Sequence, residues 1–325
     1  MATEPGRIVG QGSGCAAPGH AWARAVARVR VLLTGANGQL GRHLEPRLGG
    51  MGELVTSSRN TGAYPCDLTD PDALQRLLRE VQPDIVVNPA AWTGVDAAED
   101  QVDAARMLNH WLPGQLAQWC LGHGAVLVHY STDYVFSGSP GRAWTEEDAT
   151  APVSVYGQTK LAGENAIRAS GARAIILRTA WLYSSLPGNF LSAIIGRAAR
   201  GEDLRVVSDQ IGSPTWAGSL AQMTKAVLQS GTMTASSRTL HAVSRGRLSW
   251  YEFAQTAVTM ALERGLVEQP VAIEPIASSE WPQRAERPRW SVLDPSALET
   301  LVGHPVPTIE QALSQCLNEW KSRTC

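Results

Sequence analysis

Tyr156 and Lys160, in the run Tyr156-Gly157-Gln158-Thr159-Lys160, lie four residues apart and share one face of any helix that carries them. A phenol titrates near ~10, so at neutral pH it is a weak proton donor to an alkoxide and a weaker base unless its surroundings shift it. An ammonium one turn away favours the phenolate and draws that value down. The chain has 25 arginines but only three lysines, Lys160, Lys225 and Lys321. A lysine here marks a need for a compact ammonium rather than a guanidinium fork. A solvated helix surface would show the same pair, so the elements around it must decide.

Those elements begin at Arg30-Val31-Leu32-Leu33, an aliphatic run leading into Thr34-Gly35-Ala36-Asn37-Gly38-Gln39-Leu40-Gly41 and a helix-like Arg42 to Leu48. Strand, glycine turn and helix in that order suit a dinucleotide pyrophosphate. Gly35 allows the tight turn, Gly38 leaves the backbone bare for approach, and Gly41 lets helix and strand pack closely. Leu54-Val55-Thr56 is predicted as the second strand, followed by Ser57, Ser58 and Arg59. An acidic residue there would hold a ribose 2′-hydroxyl, whereas a hydroxyl and an arginine welcome a 2′-phosphate. The sequence thus favours NADPH over NADH, with Arg59 as an ordinary loop residue the alternative.

Cys66-Asp67-Leu68 is predicted as a third short strand that brings Asp67 within reach of an adenine amino group, and Pro71 to Val81 as a crossover helix. A fourth strand, Asp84 to Asn88, ends in Pro89-Ala90-Ala91-Trp92-Thr93, small residues of the kind a nicotinamide ribose needs at a sheet edge. A helix is expected from about Gln101 to His123. A fifth strand, Ala125 to Tyr130, then delivers Ser131-Thr132-Asp133-Tyr134. Thr132 at that strand end suits a donor to a substrate carbonyl, or is simply a satisfied strand-end residue. After the polar loop Ala143 to Pro152 and the Tyr156 helix, a sixth strand, Ala174 to Arg178, closes on Trp181. That indole either stacks on a sugar or base or fills a core.

Strands alternating with helices imply an α/β fold, a doubly wound parallel sheet of Rossmann type with ligands at the carboxyl ends of its strands. Past Tyr183 the pattern changes. Helices are expected over 189–201, 217–228 and 250–266, a strand over 204–209, a turn over 210–215, and a proline-interrupted irregular segment over 268–292, with no second glycine fingerprint. Residues 29–183 therefore read as the NADP(H)-binding domain, completed by part of 205–245, and 184–325 as mainly a smaller C-terminal substrate-binding lobe. Residues 1–28, rich in Gly, Pro, Ser and Ala, read as a disordered extension without the basic and apolar regions of a cleaved signal.

Composition narrows the function further. The net charge is −2 with both signs scattered and no basic block, which argues against a nucleic-acid partner. No apolar run approaches the ~20 residues that cross a bilayer. Cys15, Cys66, Cys120, Cys316 and Cys325 form an odd, widely spaced set without a Cys-x-x-Cys. That set suits neither a disulfide framework nor a metal site and points to a reducing cytoplasm.

From about Val29 onward the chain resembles the extended short-chain dehydrogenase/reductases, and within them the dTDP-4-dehydrorhamnose reductase family. The resemblance is carried by the glycine turn, Pro83-Asp84-Ile85-Val86-Val87-Asn88, Val95-Asp96-x-Ala98-Glu99, His129-Tyr130-Ser131-Thr132-Asp133-Tyr134-Val135-Phe136, Tyr156-Gly157-x-Thr159-Lys160-Leu161-Ala162-Gly163-Glu164, Asp209-Gln210-x-Gly212-Ser213-Pro214-Thr215 and Arg287-Pro288-x-x-Ser291-x-Leu293. It implies NADPH-dependent reduction of the C4 ketone of dTDP-4-dehydro-β-L-rhamnose to dTDP-β-L-rhamnose, with another dTDP-4-keto-6-deoxyhexose as the alternative substrate. By that resemblance Gly38, Gln39, Leu40, Ser58, Asp67, Leu68, Ala91, Trp92 and Thr93 would line the dinucleotide. Thr132, Asp133 and Trp181 would meet the sugar, and Tyr156 and Lys160 would handle the proton. The chain departs from relatives in Pro89, where alanine is common, and in Ser58, where an aspartate often stands. It also has His43 and Gly218 at two positions where some relatives carry glutamates of a magnesium-bridged dimer, so a monomer or a homodimer without a metal is expected. Two rivals remain. A dehydratase on this scaffold would want Thr-Asp-Glu where this chain has Thr132-Asp133-Tyr134, and a non-catalytic regulatory subunit would bind NADP(H) without turnover.

Overall fold

In a computed structural model, the structure describes Met1 and residues 29–139, 141–231 and 236–324; the expected extension, Met1 apart, lies outside the described residues. The strands are β1 (Arg30–Leu33), β2 (Glu53–Thr56), β3 (Ile85–Asn88), β4 (Val126–Thr132), β5 (Ala174–Thr179), the short β6 (Leu182–Tyr183), β7 (Leu204–Val207), β8 (Ile211–Gly212) and β9 (Thr215–Trp216), and then β10 (Arg238–His241). Six of them form one sheet in the order β10-β5-β4-β3-β1-β2, and every neighbouring pair is parallel. Because β2 and β3 flank β1 on opposite sides, the path across the sheet reverses there, and a crevice opens beyond the carboxyl ends of β1 and β3. The doubly wound fold expected from the sequence is what forms, with β10, from beyond residue 205, completing the sheet.

A parallel sheet buried on both faces needs apolar residues on both sides of its pleat. In β1, Val31 and Leu33 join one core with Leu44, Val128 and Leu220, while Leu32 joins the other with Leu74, Val86 and Leu116. The helices that cover these faces start where the sequence provides caps. Of α1 (Gly41–Leu48) and α2 (Pro71–Val81), the second opens on Asp70, whose carboxylate accepts from the Asp72 and Ala73 amides at 2.9 and 3.2 Å. It then buries Leu74, Leu77, Leu78 and Val81 on one stripe. A third core, built around Tyr183, Leu191, Phe253 and Leu313, belongs to the C-terminal part.

Three local expectations are corrected. Cys66-Asp67-Leu68 is not a strand: the Asp67 carboxylate turns the chain by accepting from Thr69 N and Oγ1 at 3.0 and 2.7 Å. The single helix expected from about Gln101 to His123 follows a separate α3 (Val95–Asp100) and is instead α4 (Val102–Arg106), a π segment over Met107–Trp111 and α5 (Leu112–His123). The widened turn places Asn109 so that its amide takes the Trp92 N–H at 2.9 Å and donates to Trp92 O and Thr159 Oγ1. π bulges of this kind gather at functional sites. The irregular segment 268–292 holds a strand, Ile273–Ile276, paired with β7 despite Pro275, which a two-stranded ribbon tolerates at its free edge.

Candidate active site

The helix that carries Tyr156 and Lys160, α6 (Val155–Ser170), opens on Ser154, whose hydroxyl accepts from Gly157 N at 3.2 Å, and closes at Gly171 in the left-handed region. Two glycines let it lie flat on its neighbours. A Cβ on Gly157 would overlap the Tyr134 carbonyl oxygen, and one on Gly163 that of Asn109. Tyr156, Lys160 and Glu164 then follow one another at four-residue spacing on the face toward β4. Glu164 is fully buried and takes Arg178 at 2.9 and 2.8 Å and Arg168 at 2.6 Å. This series was visible in the sequence as a spacing, although Glu164 was read only as part of a motif.

Glycine turn, β3 end, β4 end and α6 face one cavity of about 900 Å³. Among the expected site residues, Gly35, Gly38, Gln39, Leu40, Gly41, Ser58, Arg59, Asp67, Leu68, Ala91, Thr93, Thr132, Asp133, Tyr156, Lys160 and Trp181 all line it. Trp92 does not: its indole Nε1 donates to Gly94 O at 3.0 Å, which turns the ring back on its own loop.

The cradle fits a dinucleotide. Gly35 has φ +55°, and a Cβ there would come within 3.0 Å of Ala90 N across the crevice. A Cβ on Gly41 would overlap the Gly35 carbonyl oxygen. Helix α1 begins at this turn with no side-chain cap and no acid in its first turn, so its amino end is open to an anion. Next to it Ser58 Oγ bonds Thr61 O at 2.6 Å and Asn37 Nδ2 at 3.1 Å, and Asn37 also bonds the Thr61 hydroxyl. Asn37 and Thr61 were missed as members of this polar corner; Asn37 was legible inside the glycine turn, Thr61 only from the folded chain. Arg59 is exposed at the cavity rim. The Asp67 carboxyl is lowered by its bonds from Thr69, with a smaller contribution from Arg59, so one of its two oxygens is already committed.

The proton chemistry differs from the sequence expectation in one respect. Lys160 was expected to depress the Tyr156 phenol. Instead burial pushes that phenol up to about 12, offset in part by a hydrogen bond with Thr132 and reinforced by Asp133. The Lys160 ammonium lies elsewhere, on Tyr130 O at 2.5 Å and 3.4 Å from His129 Nε2. Burial lowers its own value to about 8, with Glu164 opposing. The phenol is thus held with its proton, the form a donor needs. Thr132 Oγ1 donates to Asp133 Oδ1 at 3.0 Å, and burial pushes Asp133 up to about 7. Trp181 is half-buried, lines the cavity at φ +46°, and stacks on Trp250 with ring centroids 3.6 Å apart.

The comparisons with known proteins agree with this geometry. Residues 29–322 match the model of the family described as RmlD substrate binding domain. The chain belongs to that RmlD family. It is 36% identical over 305 residues to the dTDP-4-dehydrorhamnose reductase of Burkholderia thailandensis, covering 91% of this chain and all of that one. It is 41% identical over 266 residues to a probable dTDP-4,6-dihydroxy-2-methyloxan-3-one 4-ketoreductase of Streptomyces antibioticus, covering 82% and 86%. The crystal structure of the Bacillus anthracis dTDP-4-dehydrorhamnose reductase in complex with NADP superposes with a TM-score of 0.81 at 32% identity, covering 90% and 99%.

Within the RmlD family frame, the two positions tied to a metal-bridged dimer hold other chemistry. His43 is buried, 3.8 Å from Glu319 and edge-on to Trp216. A Cβ on Gly218 would overlap the Trp216 indole, so no longer side chain fits there as packed. Among the described residues no group of three His, Cys, Asp or Glu is placed to hold a metal ion, and no helix is long and apolar enough to cross a membrane.

Proposed function

We propose that this chain is the NADPH-dependent reductase that converts the C4 ketone of dTDP-4-dehydro-β-L-rhamnose to the alcohol of dTDP-β-L-rhamnose. The observation that carries the reading is the meeting of Thr132, Tyr156 and Lys160 with the glycine cradle in one cavity, in a chain that spans its reductase relatives end to end. When bound, the reduced nicotinamide supplies the hydride for C4. Thr132 turns its hydroxyl proton from Asp133 to the ketone oxygen and so favours the charge that grows there in the transition state. Tyr156, kept protonated by its surroundings, gives its proton to that oxygen, while Lys160 holds the ribose hydroxyls. Ser58, Asn37 and Thr61, with Arg59 at the rim, receive the 2′-phosphate and leave NADH the poorer cofactor. Asp133 and Trp181 meet the sugar.

Under the same reading residues 29–183, with part of 205–245, bind the cofactor, while 184–325 mainly read the substrate. The enzyme works in the cytoplasm, as a monomer or as a homodimer without a metal bridge. A second reading, reduction of a different dTDP-4-keto-6-deoxyhexose, is favoured by the 41% identity to a 4-ketoreductase of another named sugar. Incubation of purified protein with NADPH and a panel of dTDP-4-ketosugars, followed by nicotinamide absorbance, tests both. Fastest consumption with the rhamnose precursor supports the first, fastest consumption with another isomer supports the second, and NADPH binding without turnover of any member refutes both.

A further inference from the structure

One buried titratable group beside the site has no part in the reaction as described. His129, on β4, is 0% exposed and sits between β3 and α6. Asn88 Nδ2 is 3.2 Å from its Nδ1, and Lys160 Nζ is 3.4 Å from its Nε2. The far oxygen of Asn88 accepts from the Thr34 hydroxyl at 2.6 Å. Thr34 and Asn88 are also 0% exposed, so water serves none of the three and each donor must find its acceptor along the row. Burial, and after it the Lys160 charge, hold the imidazole well below its usual range and therefore neutral.

A neutral imidazole carries a single ring proton, which leaves two directions for the row. In one, Thr34 donates to the Asn88 oxygen, the Asn88 amide donates to Nδ1, and the ring proton on Nε2 points at Lys160. Only an unprotonated amine accepts it. In the other, Lys160 as ammonium donates to Nε2, Nδ1–H donates to the Asn88 oxygen, and the turned-over amide donates to Thr34. Amide oxygen and nitrogen exchange places without moving a heavy-atom position, so both directions fit the same packing.

We propose that His129 is a positioning residue for Lys160, the end of a buried Thr34–Asn88–His129 row whose hydrogen-bond direction is locked to the presence or absence of the lysine proton. The proposal rests on the role given to Lys160 above. The other groups facing the lysine are accounted for: Tyr156 and Glu164 on its own helix, Arg178 from β5 neutralising Glu164, and Asp133 beyond the end of β4. The Tyr130 hydroxyl points away, to Thr224 at 2.8 Å, leaving only its carbonyl on the ammonium. Of the two groups within hydrogen-bond distance of the Lys160 nitrogen, the Tyr130 carbonyl can only accept, whereas the His129 imidazole can accept or donate.

With only three lysines in the chain, carbon-13 labelling of lysine Cε gives three signals, and Lys160→Met identifies the one that matters. In His129→Leu the ammonium loses an acceptor, and the Lys160 midpoint is expected to fall by about one pH unit, the tenfold change that a hydrogen bond to a charged group commonly makes. His129→Gln keeps an acceptor there and is expected to restore most of that unit. Asn88→Asp does not touch the lysine, yet it fixes the row in the direction that serves an ammonium, and the midpoint is expected to rise. The alkaline limb of kcat/KM for NADPH is expected to move with each midpoint, since that parameter reports the free enzyme. A midpoint that stays put in His129→Leu, or moves the same way in both variants, overturns the proposal, since a rise in Asn88→Asp alone is what an added buried charge gives through space. Should His129→Leu fail to fold, His129→Phe, a ring with no acceptor, takes its place. Because the titration is read without turnover, it stands or falls separately from the assignment of the reaction.

Discussion

Lys160 is expected to leave a mark on stability that is separable from catalysis. Its side chain is 2% exposed, and burial takes its value from 10.5 to about 8. Between those values the unfolded chain binds a proton that the folded chain does not, so wild-type stability from this group rises with pH across the window. At about 1.36 kcal/mol per unit the full span is worth about 3 kcal/mol, most of which falls between pH 7 and 10. Lys160→Met has no such group. The stability of wild type minus that of the variant is therefore expected to grow by about 2–3 kcal/mol over that range, while the raised tyrosine and cysteine values, common to both proteins, cancel. Urea unfolding of both proteins at several pH values, with the same slope in denaturant, reads this difference directly. Two curves that run parallel from pH 7 to 10 would show that Lys160 is not desolvated as its burial implies.

Tyr156→Phe is expected to lower kcat by about 10²- to 10⁴-fold, the usual contribution of a positioned acid, with NADPH affinity by nicotinamide fluorescence nearly unchanged; equal turnover removes Tyr156 as the donor. Arg59→Glu is expected to weaken NADPH binding roughly 10- to 100-fold, as the loss of a charge-assisted contact does, and to leave NADH affinity within a few-fold. If both cofactors weaken alike, Arg59 is a loop residue and nothing more. Gly157→Ala forces a methyl onto the Tyr134 carbonyl and is expected to cost about 1–3 kcal/mol of stability by thermal melting, along with most of the activity. For Asp133, folded near 7 against 3.8 free, the contribution to stability is present below about 3.8 and lost as pH rises through about 7. Asp133→Asn should therefore gain on wild type by about 4 kcal/mol from pH 4 to pH 8. A flat difference in unfolding free energy would contradict that.

The parts of this molecule that were legible in its sequence are those fixed by local rules. The glycine turn needs Gly35 at φ +55° and Gly41 against the Gly35 carbonyl, and both demands show in spacing alone. The crossover helix announces itself through Asp70, Pro71 and a stripe of leucines. The illegible parts depend on partners far along the chain. The π segment exists because Asn109 serves Trp92 and Thr159, 17 and 50 residues away, and no periodicity encodes that. Pro275 argued against a strand that forms anyway, since its partner β7 lies 69 residues earlier in register. The lysine effect on Tyr156 was misjudged for a similar reason: four-residue spacing sets which face a side chain occupies, but the carbonyl of Tyr130, on another element, decides where the ammonium goes.

The same cavity concentrates groups that the folded chain holds at a cost. Trp181 and Gln82 are the two non-glycine residues with positive φ among the described residues. Gln82 merely ends a helix, whereas Trp181 faces the cavity beside Lys160 and Asp133. Desolvation disfavours the ammonium of Lys160 and the carboxylate of Asp133, and strain disfavours the backbone of Trp181. All three penalties would be lower if the chain left these positions apolar and relaxed. Under the proposed function, ribose oxygens offset the first penalty and sugar hydroxyls the second, while the Trp181 indole already rests on Trp250. Saturating NADPH should therefore raise the Lys160 midpoint back toward the ordinary lysine range, because ribose oxygens add acceptors to those of Tyr130 and His129.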